Sequence, residues 1–281
     1  SKRLKVEAGL ELQRLQQGVA VQTGKKVNYT RFSVMGYSQI LHLMTTRNLT
    51  PKLTADAFLT LVDRGPQKVE FLQPLCEKKL IPVLPKLNPE RLERLLRKTS
   101  SHNLLVNHFL CDAIVEAMQT RAPKFTISDV ALTLNNFANL HSSQHGNQLP
   151  RTRANLVTIL LDQALRTNQF AEANVKDVCI TLGALAKLHI LDRDVADVLI
   201  DRAHQHRKDL APRDLSDILS SATRLASHNP KFLNDCLRFL PEVKKKANLF
   251  AISQVSNILN FMTASDYFEP SLCEALFENL L

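Results

Sequence analysis

The chain has 281 residues, 44% of them hydrophobic and 22% charged, a balance that excludes wholesale disorder. Seven Gly, twelve Pro, three Tyr and no Trp argue against a sheet protein built on tight turns and aromatic strands, and for Leu-packed helices. No run of 18 apolar residues occurs, so no membrane-spanning helix is expected, and the formal charge of +9 points to an acidic partner such as nucleic acid.

The charge is uneven along the chain. Residues 1–87 hold 14 Lys and Arg against six Asp and Glu, whereas residues 251–281 hold four acidic residues and no Lys or Arg. A basic start suits a polyanion and an acidic end suits a protein neighbour. The opening Ser1-Lys2-Arg3-Leu4-Lys5 is basic and has no apolar run, so no secretory signal is visible in it. It fits either the residue of a removed organellar transit peptide or an arbitrary starting point. A leading helix is predicted over residues 4–17, and short helices over 36–46, 54–63 and 69–80. Pro51, Pro66, Pro74, Pro82 and Pro85 interrupt them, so residues 1–87 read as a basic, degenerate helical N-terminal region.

From residue 88 onward the chain repeats. Asn88-Pro89-Glu90 is a cap residue followed by proline at the first helical position, and Thr126 and Ser128 stand ahead of acidic Asp129 in the same way. With Asp129, Asp177, Asp214 and Gln254 as anchors, apolar or small residues recur one, five and eight places later: Val130, Leu134, Phe137; Val178, Leu182, Leu185; Leu215, Leu219, Ala222; Val255, Leu259, Met262. These spacings line one helical face. A second helix follows at offsets 18, 22 and 26, carrying Val195, Leu199, Ala203, then Phe232, Cys236, Leu240, then Leu272, Leu276, Leu280. In the Asp129 unit a nine-residue polar insertion around His141 to Pro150 shifts these places to Leu156, Leu160 and Ala164. One unit earlier, Arg91 serves as anchor, with Leu92 and Leu96 and then Phe109, Ala113 and Ala117, although Thr99 breaks the match at offset eight.

Apart from that insertion the anchors lie 37 to 40 residues apart, one helical hairpin per period, so residues 88–281 read as about five hairpins. A hairpin of amphipathic helices cannot bury its apolar face alone, so the expected fold is all-α, an α-solenoid of stacked hairpins. Leu276, Phe277, Leu280 and Leu281 end the chain on an apolar helix, which predicts either a fragment or a last repeat covered by another element or partner.

The segments NNFANL, GALAKL and SSATRL, each within the opening helix of a hairpin of this period, resemble the heptatricopeptide and octotricopeptide repeats of organellar proteins of the FAST-kinase and RAP-domain kind. HEAT and armadillo arrays share a Leu/Ala-rich hairpin of similar length. The resemblance covers residues 88–281 and implies a mitochondrial, or alternatively chloroplast, RNA-binding protein acting in RNA maturation, stability, editing or translation, or a structural subunit of an RNA-processing assembly or mitoribosome. The chain shows no RAP domain and its period is not the pentatricopeptide 35, so a base-reading code does not carry over.

Offsets −1, +3, +6 and +10 mark a second, mostly polar stripe on each opening helix: Ser128, Leu132, Asn135, Asn139; Lys176, Ile180, Gly183, Lys187; Arg213, Asp217, Ser220, Arg224; Ser253, Asn257, Asn260, Ala264. Cations there can hold phosphates and amides can meet base edges or sugars. Candidate RNA-binding residues are therefore Asn135, Asn139, Lys176, Lys187, Arg213 and Arg224, with the basic run Lys244, Lys245, Lys246 beside them. An ordinary solvated face, and a helix C-terminus complemented by cations, are the competing readings of these two sets. The partners expected are single-stranded RNA and protein subunits of an RNA-processing complex, with no membrane and no small-molecule substrate.

No catalytic, cofactor or metal motif is present, and no enzyme is expected. His204 and His206 point about 200° apart on a helix, and His141 and His145 lie at the insertion without a Cys partner. The acidic set Asp192, Asp194, Asp197 and Asp201 sits beside Arg193 and Arg202 as a charged helix surface. Five widely spaced Cys read as reduced core residues, Cys179 included.

Overall fold

The computed structural model describes residues 32–64, 69–101, 108–143, 149–226 and 230–278, and among them every regular element is helical, with no β-strand. The chain divides into two compact units, Ser1–Arg121 and Ala122–Leu281. The predicted helix over residues 4–17 lies outside the described residues.

In the first unit, α1 (Tyr37–Thr46) packs on α2 (Pro51–Arg64), and α2 packs on α4 (Pro89–Ser101), which in turn meets α5 (His108–Arg121). Between them, α3 (Val69–Leu75) opens into one π turn, Cys76–Leu80, and then a 3-10 stretch, Ile81–Lys86. Prolines cause this change: Pro74, Pro82 and Pro85 lack the N–H that would bond the carbonyl four residues back, so the α ladder cannot run through 69–86. Asn88 caps α4 by accepting from the Arg91 N–H at 3.2 Å, as the cap-then-proline order requires. Thr99, the mismatch in the repeat, is buried and silences its hydroxyl by donating to the Leu95 carbonyl at 2.6 Å. Phe109 corrects the sequence reading: it is 58% exposed, while Leu110, Cys111, Ile114, Val115 and Met118 form the buried face of α5. Ala113 is half-buried and Ala117 buried, as offsets 22 and 26 require, so the miss is confined to Phe109 at the start of α5.

The second unit holds four hairpins. Their opening helices are α6 (Ile127–Ser143), α9 (Val175–Leu188), α11 (Pro212–Leu225) and α14 (Ile252–Ala264). Their return helices are α7 (Arg151–Arg166), followed by the single turn α8 (Gln169–Glu172), then α10 (Arg193–Gln205), then α12 (Pro230–Cys236) with α13 (Leu240–Lys245), and α15 (Pro270–Glu278). The third return helix is broken by a 3-10 turn, Leu237–Phe239, because Pro241 cannot donate to the carbonyl of residue 237. Phe232, Cys236 and Leu240 nevertheless all stay buried.

The anchors recur for a physical reason. Each is the third residue of its helix, where a side-chain acceptor can reach back to a donor at the cap. Asp129 Oδ2 accepts from the Thr126 N–H at 3.0 Å and hydroxyl at 2.7 Å, Asp214 Oδ2 from the Ala211 N–H at 3.1 Å, and Gln254 Oε1 from the Ala251 N–H at 2.9 Å. Asp177 differs, accepting from the Asn174 side-chain amide at 2.8 Å while Asn174 caps the Asp177 N–H at 2.9 Å. The apolar residues behind the anchors form the core: of the twelve named above, all are buried except Leu259, which is half-buried. Each fully buried Val, Leu or Phe side chain contributes about 1.5–3 kcal/mol relative to exposure, before chain entropy is set against it.

Candidate nucleic-acid interface

The opening helices pack in succession, α6 on α9, α9 on α11 and α11 on α14. Ser128 near the start of α6 donates to Asp177 Oδ2 near the start of α9 at 2.6 Å, and Lys187 near the end of α9 donates to Asn139 Oδ1 near the end of α6 at 3.4 Å. Start meets start and end meets end, so these two helices run in the same direction. Residues at equal offsets therefore stand side by side, and the polar stripe becomes a surface crossing several helices.

Lys176, Lys187, Arg213, Arg224, Asn139 and Asn260 are exposed on that surface, and Asn135, Gly183 and Ser220 are half-buried along its middle. Asn257 is half-buried and donates to Ser216 Oγ at 3.2 Å, which ties α14 to α11. Asp217 is the carboxylate of the stripe, paired with Arg213 at 3.6 Å. Partial burial lifts its carboxyl above the usual range, against the pull of Arg213 and Lys187. Lys187 thus acts on both neighbours, bonding Asn139 of α6 and biasing Asp217 of α11.

Lys244, Lys245 and Lys246 belong to the third return helix and its end, and their ammonium groups are engaged within the unit. Lys244 meets Glu269 and Ser271, each at 2.6 Å, and Lys245 meets buried Glu242 at 2.7 Å. Lys246 donates to the carbonyls of Lys208 at 2.9 Å and Leu210 at 2.6 Å. These bonds hold the carboxyls of Glu242 and Glu269 below the usual carboxylate range. The run fastens α13 to the start of α15 and to the turn ahead of α11.

No family model matches the chain, and no curated protein matches it. The chemistry of the surface has to be read from its own residues. Cys179 on α9 is half-buried, and burial, with Asp214 and Asp217 adding to it, pushes its thiol up to about 12, far from a thiolate nucleophile. His204 stacks edge-on to Phe239 at 5.8 Å, and burial with the nearby Arg238 and Arg207 charges lowers its pKa. His145 lies outside the described residues. Among the described residues no group of three His, Cys, Asp or Glu could hold a metal ion, and no helix is long and apolar enough to cross a membrane.

Two features of the surface escaped the sequence reading. One is the pairing across helices, Ser128 to Asp177 and Lys187 to Asn139, which no single helical period encodes. The other is the half-buried position of Gly183, whose surroundings only a folded neighbour defines.

Proposed function

We propose that residues 88–281 build an α-solenoid of helical hairpins serving as a non-catalytic RNA-binding and scaffolding module of a mitochondrial RNA-processing complex. The observation that carries this reading is the surface shared by the opening helices of the second unit. Lys176, Lys187, Arg213 and Arg224 are exposed there against the single carboxylate Asp217 of the stripe, interleaved with Asn135, Asn139 and Asn260. Exposed cations attract phosphates and the amides between them offer donors and acceptors to sugars and base edges. Stacked hairpins agree with the succession of opening helices, and the organellar setting follows from the resemblance of the repeat segments. The deciding experiment is fluorescence anisotropy of the purified chain with a mixed-sequence single-stranded RNA of about 20 nucleotides at two salt concentrations. Salt-sensitive binding at micromolar or lower concentration supports the module, and no binding at low salt refutes it.

A pure protein scaffold is the second reading, favoured by the last hairpin. Leu249, Ile252, Phe268 and Phe277 are 49% to 77% exposed in a stretch without a Lys or Arg after residue 246. It requires a stable complex with a protein partner and negligible RNA affinity.

A further inference from the structure

Gly183 is the ninth of the fourteen residues of α9, and among the described residues of the second unit it is the one glycine. A helix interior is a poor place for glycine, which is less favourable there than any residue except proline. Packing gives no reason for it. A Cβ built at Gly183 would have one neighbour within 4 Å, Ser221 Oγ at 3.9 Å, which is an ordinary van der Waals contact. The backbone there is right-handed helix, so no left-handed conformation calls for glycine either. The fold would accept alanine and gain helix propensity from it.

The position explains what packing does not. Gly183 occupies offset +6 of the polar stripe, the place held by Asn135 on α6 and Ser220 on α11. At a rise of about 1.5 Å per residue, Lys187 lies about 6 Å further along the helix and Lys176 about 10 Å back. Half-buried Ile180 is the next stripe residue towards Lys176. A bare stretch of backbone, an apolar side chain next to it and a cation at either end form a bed for a flat ring carried between phosphates. An acidic peptide would be satisfied by the cations alone and has no use for bare backbone, whereas a base or any planar group gains by approaching it.

We infer that Gly183 is the seat of one nucleobase of a bound single-stranded RNA, the base lying on the backbone of α9 beside Ile180 with an adjoining phosphate on Lys187. This rests on the RNA-binding reading proposed above and names the residue that admits the base. Thr158, exposed on return helix α7, supplies a control position away from the stripe.

The test compares wild type, Gly183→Ala, Gly183→Leu and Thr158→Leu by anisotropy with the same labelled 20-nucleotide RNA across salt, and by thermal melting. Gly183→Ala should melt higher than wild type and bind more weakly. Gly183→Leu should keep the wild-type circular dichroism, lose about tenfold or more in affinity at every salt concentration and leave the salt slope unchanged, since a base contact releases no counterions. Thr158→Leu should bind as wild type. Wild-type affinity in Gly183→Leu, or a lower melting temperature in Gly183→Ala, overturns the seat while leaving RNA binding standing. Absence of RNA binding by the wild type overturns the RNA reading and the seat together.

Discussion

Replacing Lys187 and Arg224 together by Gln tests the surface most directly, because it removes two charges and keeps good helix formers. The stripe carries Lys176, Lys187, Arg213 and Arg224 against Asp217, a net of three positive charges. If those three neutralise three phosphates, log K falls with log salt at a slope of about −2, from about 0.7 per phosphate for a single strand. Raising salt from about 50 to 200 mM then weakens wild-type binding about twentyfold. With one net charge left, the slope becomes about −0.7 and the same change weakens binding only two- to threefold, roughly. The assay is anisotropy at four or five salt concentrations, with circular dichroism confirming the helices. A double variant that retains the wild-type slope shows that phosphates are held elsewhere, and the assignment fails.

Lys244→Met should lower the melting temperature without altering RNA affinity, since Lys244 fastens Glu269 and Ser271; weaker RNA binding at unchanged stability would return the lysine to the interface. The folded pKa of Glu269 lies below its unfolded value, so the stability it lends is present above the ordinary carboxylate range and is lost as pH falls through the depressed value; the gap between wild type and Lys244→Met should close on acidification. Asp217→Asn should tighten RNA binding about two- to threefold by removing one negative charge. Because the Asp217 pKa is raised, wild-type affinity should rise as pH falls through it, and the variant should lack that rise. Cys76, Cys179 and Cys236, each pushed up to about 12 chiefly by burial, should resist a disulfide reagent at pH 8, where about one in ten thousand is thiolate, and react on unfolding in guanidinium. Leu182→Ala, at a site 1% exposed on α9, should cost about 2–5 kcal/mol in denaturant unfolding, and a value under about 1 kcal/mol would contradict its core position.

What could be read in advance depended on the range over which each signal acts. Helix starts were legible because caps are local: Asn88 with Pro89, and Thr126 with Asp129, carry their instructions within four residues. The core faces of the opening helices were legible because burial imposes one period, and Val130, Leu134 and Phe137 obey it. The first turn after a connection was less so: Phe109 was assigned to the core and is exposed, while Ala117 further along the same helix is buried. The spacing of Phe232, Cys236 and Leu240 predicts an unbroken third return helix, and it misses the 3-10 turn Leu237–Phe239 ahead of Pro241 because apolar spacing alone does not register a lost backbone donor. Arg153 shows a different limit: it is 1% exposed on the face of α7 shared with Leu156 and Leu160, and an apolar pattern has no way of announcing a buried guanidinium. At the interface, the stripe was visible as spacing. The engagement of Lys244 with Glu269 and of Lys246 with the Lys208 carbonyl was not, because those partners lie 25 and 38 residues away for reasons of packing; the Lys245 and Glu242 pair, three residues apart, lay within helical spacing and was missed.

The caps at Asp129, Asp214 and Gln254 also bear on the order in which the molecule is made. A helix whose start is settled within four residues can take its register as soon as those residues leave the ribosome, before any later hairpin exists. The contacts it then needs lie within its own hairpin or with the one just completed, so each newly synthesised pair meets a finished surface. Assembly of the second unit can thus proceed from α6 towards α15 at the pace of translation, and the apolar face left waiting at any moment is one hairpin wide.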